Sequence, residues 1–312
     1  ADIERANEVA RAQAIPKDRE LLHAIPQEYS VDKHHGVRDP IGMVGTRLET
    51  EMYLVTVGAA PATNLRRVIE KAGYRPAELV LSPLASALAT LTEDEKELGA
   101  ALIEMGAGTT DVAVFLEGKI RHVATLPIGG NHVTSDIVHG LGVTPADAER
   151  LKEQFGCAYE PMVEPGQFIA LPSTVTQGDR QIPYELLAHI IHQRTDEIFD
   201  LVQRELERTG FAGHLGSGVV VTGGASVTPG IAELAADVFG LSVRIGSPSG
   251  LDGLVEAVGS PKYATVVGLA QYGAHRLALS MAQAPAPKKS ALAGASVDGL
   301  VGKVKTWLQD FF

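Results

Sequence analysis

Little in this chain can cross-link it, span a bilayer or grip a polyanion. Of 312 residues only one is cysteine, Cys157, so no internal disulfide and no cysteine-rich metal site can be built. A reducing cytoplasm is the simplest home for such a chain. No apolar run approaches the ~18 residues of a spanning helix, and the N-terminus lacks the basic and apolar regions of a signal peptide. Lys and Arg number 27 against 38 Asp and Glu, a net charge of −11 that argues against general nucleic-acid binding. The sequence has no Walker loop, nucleophile elbow or zinc motif. It also has no initiating Met: "ADIERANEVARAQAIP" reads as a helix already under way, the mark of a fragment or a processed chain.

What remains is an ordinary globular composition, 45% hydrophobic and 21% charged, long enough for two domains. Helical spacing from Ile3 to Ala14 stops at Pro16. Glu20 to Asp32 and Arg47 to Gly58 read as antiparallel strands around a turn holding His34 and His35. Those two histidines have no spaced carboxylate or cysteine partner and read as surface residues. Pro61 to Gly73 is a helix with Gly73 as its stop, and "AELVLSP" leads into a strand. Leu84 to Gly99 reads as one helix ending in the charged run Glu93 to Glu97, a solvated helix end. A helix follows "PIGG", and another starts with Thr144 as N-cap and Pro145 at the first position. Residues 158–183 are irregular or strand-like. Pro183 to Phe211 is a long amphipathic helix with Leu186, Leu187, Ile190, Ile191, Ile198, Leu201 and Val202 as its apolar stripe, and Lys262 to Ala278 is the last globular helix.

Two glycine turns carry the chemistry. In "IEMGAGTTDVAVF", an apolar strand stops at Gly106 to Thr110 and a second strand resumes after Asp111. A backbone stripped of side chains there can bring N–H groups close to an anion; an ordinary hairpin turn is the alternative. "VVVTGGAS" repeats the pattern at Gly223 and Gly224, where a nucleoside could lie flat or a strand could simply pack closely against a helix.

The tail is different in kind. Met281 to Ser296 is an Ala, Pro, Ser, Gly and Lys linker, a composition that does not order itself. In the following "LVGKVKTWLQDFF", Val301, Val304, Trp307, Leu308 and Phe311 share a helical face with Phe312 at its edge, and Lys303 and Lys305 flank it. From Lys288 onward four lysines face two aspartates in a chain otherwise acidic, the make-up of a helix lying in a membrane surface; docking on its own domain is the alternative.

Taken together, "LASALATLTEDEKELGAALIEMGAGTTDVAVF", "PIGGNHVTSDI" and "VVVTGGASVTPGIAELAADVFGLSVRIGSP" resemble the actin and Hsp70 ATPase superfamily, and most closely the bacterial FtsA family. The helix and "LLHAIPQEYSVD" at the start resemble that family's own small subdomain. The resemblance implies an α/β, actin-like (ribonuclease H-like) ATPase fold with the first phosphate loop and first strands of one lobe missing. It implies the small subdomain at 1–78, core at 79–142 with the second phosphate loop, a peripheral lobe and long helix at 143–211, and core at 212–280 with the adenosine loop. A linker at 281–300 and a membrane-targeting helix at 301–312 complete it.

By the same resemblance, Glu104, Gly106, Ala107, Gly108, Thr109 and Thr110 lie at the phosphates of ATP with Mg2+, and Gly223, Gly224 and Ala225 at the nucleoside. Arg194 and Glu197 fall where family members touch the ribose and adenine edge, with a solvated helix face as the reading from sequence alone. Glu104 stands where the family usually has Asp, and Ala107 where it has Gly, so hydrolysis is expected to be weak at most. A longer carboxylate displaces any magnesium-bound water by roughly one bond length. The implied partners are the C-terminal peptide of FtsZ, other copies of the chain, other division proteins and the lipid surface at the cytoplasmic face of the septal membrane. An actin-fold sugar kinase would need an Asp base and has no use for the tail. A chaperone ATPase would continue into a β-rich domain.

Overall fold

The computed structural model describes residues 1–171, 180–250 and 255–283; the expected membrane helix at 301–312 and most of the linker before it lie outside the described residues. The chain opens with helix α1 (Asp2–Arg11), laid across a three-stranded antiparallel sheet of order β2-β1-β3, formed by β1 (Arg19–Val31), β2 (His34–Val37) and β3 (Leu48–Gly58). His34 and His35 therefore lie in strand β2; the turn is confined to Asp32 and Lys33, with Asp32 in the left-handed region at φ 54°. Helix α2 (Ala59–Lys71) ends as expected at Gly73, whose φ of +87° is the left-handed conformation that caps a helix.

Two expectations fail in the next stretch. "AELVL" pairs with no described strand; it runs extended to Leu81, whose N–H is taken by His23 Nε2 at 3.1 Å. The helix expected over Leu84 to Gly99 is two helices, α3 (Ser82–Thr90) and α4 (Glu93–Leu98). Leu91 is extended and Thr92 starts afresh with a reciprocal capping box: Thr92 Oγ1 accepts from the Glu95 N–H while Glu95 accepts from the Thr92 N–H at 2.8 Å. The charged run is also less solvated than its composition implies. Lys96 is buried against Glu93 at 2.7 Å, and Glu95 holds Arg244 at 2.6 and 2.7 Å.

The core is a five-stranded mixed sheet of order β10-β9-β4-β5-β6. Strands β4 (Ala100–Met105), β5 (Thr110–Leu116) and β6 (Lys119–Leu126) form an antiparallel meander. Helices α5 (Gly130–Leu141), α6 (Pro145–Phe155) and, after β7 (Phe168–Leu171) and β8 (Arg180–Pro183), α7 (Tyr184–Thr209) lead to β9 (Val219–Thr222), which lies parallel to β4. Then α8 (Ile231–Phe239) crosses over to the parallel edge strand β10 (Val243–Ile245), and α9 (Val255–Val258) and α10 (Ala264–Gln283) close the fold.

The apolar runs Ala100–Ile103 of β4 and Val112–Leu116 of β5 follow from burial on both faces. Alternation assigns Ala101, Ile103 and Met105 to the large core under α5, α7 and α8, and Leu102, with Ala87 and Val220, to a smaller one. Helix α7 buries Leu187, Ile191, Ile198, Phe199, Val202 and Leu206, each side chain contributing about 1.5–3 kcal/mol. Leu186, placed on its stripe by spacing, is exposed instead. The α6 start is as read: the Asp147 N–H donates to Thr144 Oγ1 at 3.2 Å, with Pro145 in the first turn.

Candidate nucleotide cleft

Met105 and Thr110 are register partners, so Gly106 to Thr109 is a four-residue hairpin loop; both readings of that stretch begin from the same turn. Three of its four carbonyls, those of Gly106, Ala107 and Thr109, accept backbone hydrogen bonds. The N-terminus of α5 donates to the first two, Gly130 N–H to Gly106 O at 2.9 Å and Asn131 N–H to Ala107 O at 2.7 Å. Its donors are divided: the Gly106 N–H closes the loop on Thr109 O at 2.9 Å, while no backbone bond from Ala107 or Gly108 N–H to another described residue is present. Those two residues are exposed at the tip. A side chain at Gly129 would come within 2.6 Å of Gly106 O, so the glycine pair before α5 lets the helix start close under the loop. Thr110 serves the fold: fully buried, it donates to Ile128 O at 2.8 Å.

The second turn is split by role. Gly223, at φ +92°, leaves no room for a Cβ, which would meet Met105 O at 2.5 Å; it packs the end of β9 against the end of β4. Gly224 opens a short 3-10 turn, Gly224–Val227, and the helix α8 starts only at Ile231, after Gly230.

Between the turns lies a cleft of about 540 Å³, lined by Gly106 and Ala107 from one loop and Gly224 and Ala225 from the other. Residues 118 positions apart in sequence thus share one wall. Gly108, Thr109, Gly223, Arg194 and Glu197 do not line it. Arg194 is fixed by Asp136 at 2.5 and 3.0 Å and by Glu197, which keeps the pair on the α7 face toward α5; their neighbours Thr195 and Ile198 reach the cleft instead.

The structure adds residues that the motifs did not point to: Asn131, Lys152, Glu153 and Lys262 also line the cleft. Lys152 Nζ donates to Gly130 O at 3.2 Å, Thr134 Oγ1 at 2.8 Å and Glu149 Oε2 at 2.8 Å. Desolvation alone would raise the Glu149 carboxyl, but the Lys152 and Thr134 hydrogen bonds hold it below the usual range. Lys262 stands 4.9 Å from the Tyr263 ring centroid. Isolated lysines in unremarkable helices carry no sequence signal; only the tertiary fold gathers them.

Glu104 faces away. It shares alternation with Leu102, is buried, and is hydrogen-bonded to Ser86 Oγ at 2.9 Å and to Thr265 Oγ1. Desolvation, with the nearby Asp111 carboxylate, pushes its carboxyl above the usual range. The free loop donors, the small residues and Lys262 suit a polyphosphate with a flat organic base. A protein-held Mg2+ fits poorly: Glu104 and Glu149 are engaged, and no group of three His, Cys, Asp or Glu among the described residues is placed for a metal.

Comparison with known proteins bears on the whole arrangement. The chain is 40% identical to the cell division protein FtsA of Pseudomonas aeruginosa over 100% of its length and 75% of the relative's. It is 39% identical to FtsA of Neisseria meningitidis and 35% identical to that of Escherichia coli K12, covering 75% and 74% of those proteins. Among solved structures it resembles MreB5 of Spiroplasma citri bound to ADP, with a TM-score of 0.58 and 21% identity over 73% of this chain and 69% of that one. It also resembles a PilM-PilN type IV pilus biogenesis complex, with a TM-score of 0.58 and 17% identity over 87% and 71%. The fold is thus the actin-like α/β fold. The model for the cell division protein FtsA matches residues 101–268 and that for the SHS2 domain inserted in FtsA matches residues 1–56, so the chain belongs to the FtsA family of cell division proteins.

Proposed function

We propose that this division protein binds ATP in the cleft between its two glycine turns, self-associates, and couples FtsZ to the cytoplasmic face of the membrane at the division septum. One observation carries the nucleotide part: Gly106–Ala107 and Gly224–Ala225 meet at a single cleft edged by Lys152 and Lys262. The N–H group of Ala107, on the cleft wall, would receive a phosphate oxygen, with that of Gly108 beside it at the loop tip. The small residues Gly224 and Ala225 leave room for the nucleoside, and Lys262 would offset polyphosphate charge, Lys152 being paired with Glu149. ATP supplies a triphosphate whose binding favours one arrangement of the chain; Mg2+ would arrive with it rather than on a protein carboxylate. With Glu104 turned to the opposite face, hydrolysis is weak at most.

The remaining parts follow the family resemblance. Residues 143–211 would receive the C-terminal peptide of FtsZ, residues 1–78 would meet neighbouring copies and other division proteins, and residues 79–142 and 212–280 would form the nucleotide core. Residues 281–300 would act as a linker, and Val301, Lys303, Val304, Lys305, Trp307, Leu308, Phe311 and Phe312 would enter the lipid surface. A single short amphipathic helix binds lipid weakly, and a polymer presenting many of them attaches firmly by avidity.

The test is titration of a fluorescent ATP analogue. A Cβ at Gly224 meets nothing nearer than Lys262 Cβ at 4.0 Å, so a side chain can start there, and Gly224→Phe is the variant chosen to fill the cleft. Affinity should fall by roughly tenfold or more, the effect of losing ~1.4 kcal/mol, with an unchanged unfolding midpoint. Equal affinity in wild type and variant would remove ATP from this cleft.

A further inference from the structure

Three strands of the core end in a buried polar row on the face opposite the cleft. Asp111 on β5, Glu104 on β4 and Thr222 on β9 are successive register partners, Glu104 opposite both of the others. All three are buried. Polar side chains in such a place are retained only when each finds a partner; Asp111 accepts one hydrogen bond from within the sheet, from Thr125 Oγ1 on β6, and the other partners come from outside it. Ser82 Oγ of α3 donates to Asp111 at 3.5 Å, and Ser86 Oγ of the same helix is hydrogen-bonded to Glu104 at 2.9 Å. Thr265 Oγ1 of α10 donates to the other oxygen of Glu104, and Thr222 Oγ1 donates to Gly246 O at 2.7 Å and reaches Pro261 O at 3.4 Å, just before α10.

The two helices form a unit of their own. Gly268 of α10 lies so close to α3 that a Cβ there would sit 1.7 Å from Ala85 O. Ser249 also bridges the pair, from Ala89 O of α3 to Gln271 of α10, but it lies far along the chain from the cleft turns; Glu104 holds one helix with each carboxylate oxygen and lies next to Met105, where the two cleft turns converge. Gly106 follows Met105 in the chain, and Gly223 packs on the Met105 carbonyl. We infer that Glu104 is a positioning residue, a clamp that ties the α3–α10 pair to the cleft loops so that the helices and the loops can change arrangement only together. Its role is met by hydrogen bonding and reach rather than by charge. Ser86 has a single hydroxyl proton and two acceptors in range, Glu104 and Ser82 O at 3.0 Å, an arrangement that a protonated carboxyl donating to Ser86 Oγ satisfies in full. The clamp itself does not depend on the cleft's ligand; only its consequence for ATP rests on the nucleotide reading.

Reach and charge predict opposite orders for two variants. Glu104→Gln keeps the length, one acceptor for Thr265 and one donor for Ser86; Glu104→Asp keeps the charge but loses a methylene. The readout is amide hydrogen exchange at Gly106, Gly130 and Asn131 in the full chain without nucleotide, with β9 amides as the control for global stability. Glu104→Asp and the helix double variant Ser86→Ala/Thr265→Val should each speed exchange about five- to tenfold, the loss of one to two hydrogen bonds, with Glu104→Gln within about twofold of wild type. Combining Glu104→Asp with the double variant should add little further, because both remove the same contacts. A Gln variant as loose as the Asp variant, or a helix double variant that leaves those three amides unchanged, overturns the clamp. A wild-type chain that fails to bind the ATP analogue removes the nucleotide reading and leaves the exchange result to decide the clamp on its own.

Discussion

Strand β4 buries all six of its residues, whereas β1, with thirteen, buries three. The five-stranded sheet is sandwiched between helices, with its large core reaching from Ala101 to Phe239. The N-terminal sheet has α1 on one side, and α1 buries none of its residues fully. The first region stands by apolar burial; the second stands on a few specific ties to the first. Arg38 reaches Glu97 at 2.9 Å, His23 takes the Leu81 N–H, and Tyr53 Oη accepts the Val123 N–H at 2.9 Å while Ile25 and Tyr53 pack on the smaller core. One lesson is that damage to the core should be global, while damage to the small unit should stay local.

The largest effect is expected at Phe199, fully buried and edge-on to Phe239 with ring centroids 5.5 Å apart. Phe199→Ala should lower stability by about 3–5 kcal/mol in denaturant unfolding. Gly268→Ala comes next, since the added methyl group forces α10 from α3; about 1–3 kcal/mol is expected, read from the same transition. Glu205 should contribute about 1–2 kcal/mol through its hydrogen bonds. The Arg208 hydrogen bond foremost, against desolvation and together with His122, lowers its carboxyl from 4.5 to about 2. Because the folded value is depressed, this stability is complete above pH 4.5 and drains away as pH falls toward about 2. Glu205→Gln should flatten that stretch of the stability–pH curve. Tyr53→Phe should cost about 0.5–1.5 kcal/mol and raise hydrogen exchange in β1 and β3 more than in β4. The smallest effect belongs to Val9→Ala on α1: Val9 is 68% exposed, and a change within about 0.5 kcal/mol in the global transition is expected. A loss at Val9 equal to that at Phe199 would break the contrast between the two regions.

What was legible in the sequence was local. The Thr144 cap with Pro145, the Gly73 stop, the apolar runs of β4 and β5 and most of the α7 stripe are signals written within one element, and the structure keeps them. The break at Leu91 was written too, as Thr92 and Glu95 three apart, but alanine and leucine content outweighed it. Whether "AELVL" finds a strand partner depends on what lies beside it in space, which no window along the chain contains. The cleft divides in the same way. Its small residues announce themselves, and Lys152 and Lys262 do not. Alternation places Glu104 with Leu102 and apart from Met105, yet only the positions of α3 and α10 reveal which face is the cleft.

The Tyr53 hydroxyl has a consequence beyond joining two units. Strand β6 is the rim of its sheet, and an outward N–H on a rim strand invites a foreign strand to add itself, the first step toward mispairing between chains. By occupying the Val123 N–H, Tyr53 turns the N-terminal unit into a guard over that rim.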